Sequence, residues 1–221
     1  MSINKVIISL VGVKRSGKST AAEIIHDMFP DANNIAIADK LKQVCSDAFD
    51  LDSIHFYSQL LKEESLLYPI NLKMEGLSTI LESFKIDDKQ VKVSSNDILE
   101  IATMKMRTPR DILQNIGMFI RDVFGKKIHM QHLNLSRDLT IVSDVRMESE
   151  FEYLNNLKGY VHIPIYIENK AAESVKDLHI SEKEYLKFKG KCIKLDNNVK
   201  DIEVLMDNIE DILIKYKKVL F

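Results

Sequence analysis

The chain has no tryptophan, only two cysteines, four prolines and seven glycines in 221 residues. Cysteines as few and as far apart as Cys45 and Cys192 make neither a disulfide framework nor a zinc site. With 31 Lys and Arg against 33 Asp and Glu, the formal net charge is −2, so the basic surplus of a general nucleic-acid-coating protein is absent. Long hydrophobic runs are absent too. The longest, residues 6–13, is interrupted by Ser9 and Gly12; it is too short to span a bilayer and lacks the length and cleavage site of a signal peptide. These absences point to a cytoplasmic protein that has neither nucleic acid nor membrane as a partner. Arginine is also scarce: six of the 31 basic residues, Arg15, Arg107, Arg110, Arg121, Arg137 and Arg146. Where Arg persists in a Lys-rich chain, its planar fork is a candidate for work an ammonium cannot do.

What is present has the balance of an ordinary globular protein, 45% apolar and 29% charged, long enough for one α/β domain with an inserted lobe. Residues 5–11 (KVIISLV) form a β-branched run ending at Gly12 and read as a buried strand. Residues 19–29 place apolar side chains at helical spacing before Pro30. A short strand is expected at 34–38, then a helix over 39–49 with Asp39 as its N-cap. Residues 50–105 hold short apolar clusters between charged stretches, and a helical lobe is the expectation. Residues 108–124 read as a helix capped by Thr108 with Pro109 at its first position. A strand at 139–144, a helix over 147–157, and strands at 160–168 and 191–195 follow, before a closing amphipathic helix over 199–218. In that last helix Ile202, Leu205, Met206, Ile209, Leu213 and Tyr216 are expected to point inward. Pro164 argues that the 160–168 strand lies at an edge or carries a bulge. Alternating strands and helices predict a parallel sheet with helices on both faces.

Gly12-Val13-Lys14-Arg15-Ser16-Gly17-Lys18-Ser19 satisfies G-x-x-x-x-G-K-[ST] at every fixed position, between an expected strand and an expected helix. The glycines let backbone N–H groups turn around a phosphate, and the helix N-terminus adds partial positive charge. Lys18 is placed to reach the β- and γ-phosphates, and the Ser19 hydroxyl to ligate Mg²⁺. The expected ligands are therefore ATP and Mg²⁺. The donor set is Gly12, Lys14, Ser16, Gly17, Lys18, Ser19 and Thr20. Asn197, between the last strand and last helix, is placed to present amide groups to adenine.

Asp144 ends the strand LTIVSD at the edge where open α/β sheets place their sites, as a metal or substrate positioner. Arg146 and Glu150 share a helix face, which suits either a site or a capped helix with an ion pair. On the 108–124 helix, Arg110, Gln114, Gly117 and Arg121 align along one side; Arg110 and Gln114 are read as binding groups and Arg121 as a solvated one. Lys40 and Lys42 open the helix after the second strand and are candidates for an acceptor's phosphate. Residues 169–190, charged and without an arginine, have the character of a lid that would use Lys170, Lys176 or another lysine, or leave the transferring phosphoryl group to Arg15 and Arg110. His179 and Glu182 are candidate substrate contacts there, the alternative being incidental loop residues.

Together, GVKRSGKST, ADKLK, TPRDILQNIG, SDVRMESE, DLHISE and LDNN resemble the deoxynucleoside monophosphate kinases of large tailed bacteriophages, in the family's order. The resemblance implies a P-loop kinase three-layer sandwich with a helical acceptor lobe (50–105) and a lid (169–190). It also implies that Arg110, Asp144, Arg146 and Glu150 bind the acceptor nucleotide and that Ser16, Lys18, Ser19 and Thr20 serve the donor; Lys42 and Gln114, read from their positions, join the expected acceptor set. The expected catalytic groups are Lys18, Arg15, Arg110, Asp144 and Arg146, and the metal ligands Ser19 and Asp144. A deoxynucleoside monophosphate is the expected acceptor, a homodimer the expected assembly, and a host cytoplasm the expected compartment. Two alternatives stand beside this reading: a kinase of the same fold acting on dephospho-coenzyme A or a phosphorylated alcohol, and an ATP-driven switch.

Overall fold

The buried apolar run after the N-terminus is the middle of a sheet. In the computed structural model, which describes residues 5–85, 93–174, 184–198 and 201–220, strand β1 (Lys5–Val11) is buried at every position but Lys5. It pairs in parallel with β3 (Leu139–Val145) on one side and β4 (Tyr160–Glu168) on the other. The short β2 (Asn33–Ile35) flanks β3, and β5 (Ile193–Asp196) flanks β4, giving an all-parallel sheet in the order β2-β3-β1-β4-β5.

The chain divides into two compact units, Met1–Ile37 with Leu133–Phe221, and Ala38–His132. In the first unit α1 (Lys18–Met28) and α10 (Ile202–Ile214) cover one face of the sheet. Their Ala21, Ile25, Leu205 and Ile209 pack on Ile8, Leu10, Ile141, Ile163 and Ile165. The other face carries α8 (Glu148–Asn155) and the 184–191 segment, with Phe151 tilted against His162 and stacked on Phe188 at 4.7 Å. Alternation along β4 sorts the two faces: Ile163, Ile165 and Ile167 enter the first core, and His162 and Tyr166 the second. This is the three-layer α/β arrangement of a P-loop kinase fold.

The second unit is helical. It contains α2 (Asp39–Phe49), α3 (Ile54–Tyr57), a 3₁₀ turn (Leu61–Glu63), α4 (Met74–Phe84), α5 (Ser95–Thr103), α6 (Pro109–Phe124) and α7 (Ile128–Gln131). Its core joins Leu41, Cys45, Phe56, Ile80, Phe84, Met106, Ile112 and Ile116. The described parts of the illegible 50–105 stretch are thus built into a core together with α2 and α6.

Three expectations are corrected. β4 is an interior strand, and its ladder with β1 runs from Lys5↔Tyr160 to Val11↔Tyr166 without a shift. Pro164 is accommodated because β5 joins β4 only from Ile165 onward, so the missing N–H meets no ladder on that side. The irregularity lies between β1 and β3, past Ser9. At α2 the N-cap is Ala38, and the Asp39 carboxylate instead accepts from Lys42 Nζ at 2.8 Å. On α10 the buried face is Leu205, Ile209, Ile212 and Leu213, with Ile202 and Met206 exposed.

Candidate active site

β1 delivers the chain to the C-terminal edge of the sheet, and residues 12–17 turn it into α1. That turn takes positive φ at Gly12 (152°), Arg15 (66°) and Gly17 (102°). Arg15 stands exposed at the tip of the loop, where left-handed backbone costs a non-glycine residue about 1–2 kcal/mol. Successive backbone reversals of this kind turn amides toward a common point and make an anion-binding nest. Neither glycine tolerates a side chain. A Cβ on Gly12 would lie 2.7 Å from Ser16 Oγ and 3.0 Å from the Ile167 carbonyl, and one on Gly17 would run into Asn197 Nδ2.

α1 begins at Lys18 with no side-chain cap among the described residues. By contrast, α5 and α6 are closed by capping boxes at Ser94 and Thr108. The first amides of α1 and its dipole therefore serve the loop. Lys18 is buried, and its ammonium donates to the carbonyls of Gly12 and Val13 at 2.8 and 2.6 Å. Ser16 is fully buried, yet its Oγ has no hydrogen-bond partner among the described residues. A buried orphan hydroxyl costs about 1–3 kcal/mol, which a phosphate oxygen would relieve. Lys14 and Thr20 are half-buried and Ser19 is exposed on the first helical turn. The nest, the orphan hydroxyl and the buried ammonium fit a polyphosphate, and the Ser19 hydroxyl fits the cation that accompanies one.

Asn197 is brought to this loop from the far side of the sheet. Its side-chain amide donates to the Ser16 carbonyl at 2.7 Å. The residue is itself fixed by its backbone N–H on the Glu168 carbonyl (3.0 Å) and by Asn169 Nδ2 donating to its carbonyl (3.1 Å). The amide expected to face adenine is thus engaged in bracing the phosphate loop.

On the other side of β1, Val145 pairs with Val11, so Asp144 lies on the same sheet edge as the loop. It is half-buried, and its Oδ1 accepts from the Ile37 N–H at 2.5 Å. Glu150 is 3% exposed, and its carboxylate accepts from the backbone N–H groups of Arg146 (2.9 Å) and Met147 (3.0 Å). It therefore folds the corner between β3 and α8, and in doing so places Arg146, half-buried, just beyond Asp144.

Lys42, Arg110, Gln114 and Gly117 lie in the helical unit. Lys42 is held by Asp39 and sits 4.6 Å above the Tyr57 ring. Burial and the Asp39 carboxylate push the Tyr57 phenol above its ordinary value, against the lowering effect of Lys42. Arg110 occupies the first turn of α6 and donates through Nε to Glu63 Oε1 at 2.6 Å. Gln114 is half-buried one turn on. Gly117 is a packing residue: a Cβ there would lie 3.1 Å from Leu41 Cδ2, so its smallness lets α6 approach α2. Sequence reading missed Glu63 and Tyr57, whose partners are far away in the chain; no local spacing marks either. In the expected lid, Lys170 starts the short α9 (Lys170–Glu173), and Lys176, His179 and Glu182 fall outside the described residues.

No helix among the described residues is long and apolar enough to cross a membrane. No protein-family model matches the chain. A curated protein of Acanthamoeba polyphaga mimivirus, named "Putative deoxynucleotide monophosphate kinase", is 29% identical over 213 residues, covering 92% of this chain and 94% of its own length. The similarity runs through both units, and the activity in that relative's name is the one the sequence motifs resemble.

Proposed function

We propose that the chain transfers the γ-phosphoryl group of ATP to a deoxynucleoside 5′-monophosphate, forming ADP and the deoxynucleoside diphosphate. The observation that carries this reading is the loop over residues 12–17, which brings an orphan buried hydroxyl at Ser16 and a buried ammonium at Lys18 beside backbone turned at Gly12, Arg15 and Gly17. The mimivirus relative's name supports the acceptor class. In this reading Lys18 exchanges the Gly12 and Val13 carbonyls for phosphate oxygens, while Gly12, Lys14, Ser16, Gly17 and Thr20 hold the donor. Arg15 adds charge at the loop tip. Ser19 and Asp144 would hold Mg²⁺, a cation usually bound through one or two side chains plus phosphate and water. When bound, it would neutralise charge on the transferring group.

The groups assigned to the acceptor are Lys42, Arg110 and Gln114 on the helical unit and Arg146 and Glu150 on the first unit, Glu150 acting through the corner it folds. Residues 50–105 serve as the acceptor lobe and 169–190 as the lid. A phosphate acceptor is already ionised at pH 7, so Asp144 positions and does not need to take a proton. The test is ADP release from Mg·ATP with dAMP, dGMP, dCMP, dTMP, their ribose counterparts and dephospho-coenzyme A. Stimulation by a deoxynucleotide supports the reading. Stimulation by dephospho-coenzyme A alone replaces the acceptor class, and no stimulation by any of them removes the reading.

A further inference from the structure

Arg110 stands where a helix is least hospitable to it. The second position of α6 lies at the positive end of the macrodipole, where an arginine is disfavoured and a carboxylate welcome. The helix start is otherwise tightly specified: Thr108 Oγ1 accepts from the Asp111 N–H at 3.0 Å, and Asp111 accepts in return from the Thr108 N–H at 3.0 Å. Opposite it runs the 61–70 stretch, tied to the residues just before α6. Leu66 N–H donates to the Arg107 carbonyl at 2.7 Å, and Ile70 and Met106 exchange backbone hydrogen bonds of 2.9 and 3.0 Å. These ties set the 3₁₀ turn Leu61–Glu63 against α6, and Glu63 Oε1 meets Arg110 Nε.

The contact is one-sided in a useful way. Among the described residues Arg110 has only this polar partner, and it uses Nε alone. A carboxylate on Nε fixes the plane of the guanidinium and leaves the terminal nitrogens, the edge that grips a phosphate with two parallel bonds, uncommitted. The side chain is 22% exposed, so that edge is reachable by a ligand while most of the chain is held in place. We infer that Glu63 is a positioning residue, which orients Arg110 for the phosphate of the acceptor nucleotide. This rests on the role given to Arg110 under the proposed function.

The test compares Glu63→Ala, Glu63→Gln, Arg110→Ala and the double variant Glu63→Ala/Arg110→Ala. The readouts are acceptor KM, ATP KM and kcat, and calorimetric binding of the deoxynucleoside monophosphates without ATP. Thermal melts check that each variant folds. Glu63→Ala is expected to raise the acceptor KM and Kd about 10-fold, the scale of one charge-assisted contact, with ATP KM unchanged. Glu63→Gln, whose amide oxygen still accepts from Nε, is expected to recover most of that loss. The double variant is expected to be no worse than Arg110→Ala, since Glu63 acts only through the arginine. An acceptor KM in Glu63→Ala at or below wild type overturns the inference, because Glu63 would then be idle or would mask Arg110. A wild-type acceptor affinity in Arg110→Ala instead removes the assignment of Arg110 itself.

Discussion

Asn197→Ala isolates the brace on the phosphate loop. The substitution deletes the 2.7 Å bond from Asn197 Nδ2 to the Ser16 carbonyl and leaves the backbone bond from Asn197 N–H to Glu168 intact. A neutral hydrogen bond contributes about 1 kcal/mol, and leaving its part-buried acceptor unpaired raises the cost to about 1–3 kcal/mol. The loop loosened by this loss is the one whose φ values at Gly12, Arg15 and Gly17 must be maintained for its amides to converge. At 1.4 kcal/mol per tenfold, the Kd for Mg·ATP is expected to rise about 10-fold, with acceptor affinity unchanged. Asn197→Asp should be worse, since it sets a carboxylate against the carbonyl in place of a donor. The assay is titration with a fluorescent ATP analogue, with a thermal melt of each variant alongside. An ATP affinity within twofold of wild type in both variants would show that the loop holds its shape without Asn197.

Three further outcomes follow from the same geometry. Gly17→Ala introduces a Cβ at φ 102° directly against Asn197 Nδ2; it should destabilise the protein by about 1–3 kcal/mol in chemical denaturation and abolish detectable ATP binding. Asp144→Asn should lower kcat modestly with a deoxynucleotide acceptor, because its role there is positional; a loss of about 10³-fold or more would signal a hydroxyl acceptor that needs a base. Burial holds His162 and His129 near pKa 4, His129 with help from Arg121, against an ordinary value of 6.5. Since the unfolded chain takes up those protons first, stability is complete above pH 6.5 and falls as pH drops toward 4, by about 1–3 kcal/mol for each histidine. Denaturant midpoints at pH 7.5, 6 and 5 read this directly, and His162→Phe should flatten part of the slope. A pH-independent midpoint would contradict it.

The sheet and the loop were legible because their causes are local. A β-branched run flanked by Gly12 cannot be much else than a buried strand, and the loop's fixed positions are each required by backbone geometry or charge. The Thr108 cap, Pro109 and the apolar period of α6 are likewise written within one turn. Legibility fails where a partner is distant or a neighbour decides. Pro164 argues for an edge, yet the shortness of β5 lets an interior strand carry it. Ile202 and Met206 have the right period to face inward, but the buried face of α10 is rotated toward Ile212. Asp39 is a good capping residue by type, but Lys42 at i+3 takes its carboxylate. Glu63 is 47 residues from Arg110, and only the backbone ties between 66–70 and 106–107 bring the two together. Gly117 reads as part of a polar stripe until Leu41 of α2 is seen against it.

The central claim is tested most directly by following the γ-phosphoryl group itself. Wild-type protein and Lys18→Ala would be incubated with γ-³²P-labelled ATP, Mg²⁺ and each deoxynucleoside monophosphate, and the products separated by thin-layer chromatography. Label appearing in a deoxynucleoside diphosphate with wild type, and absent with Lys18→Ala, is the result expected here. Label found only in inorganic phosphate, or retained in ATP with every acceptor, would contradict it.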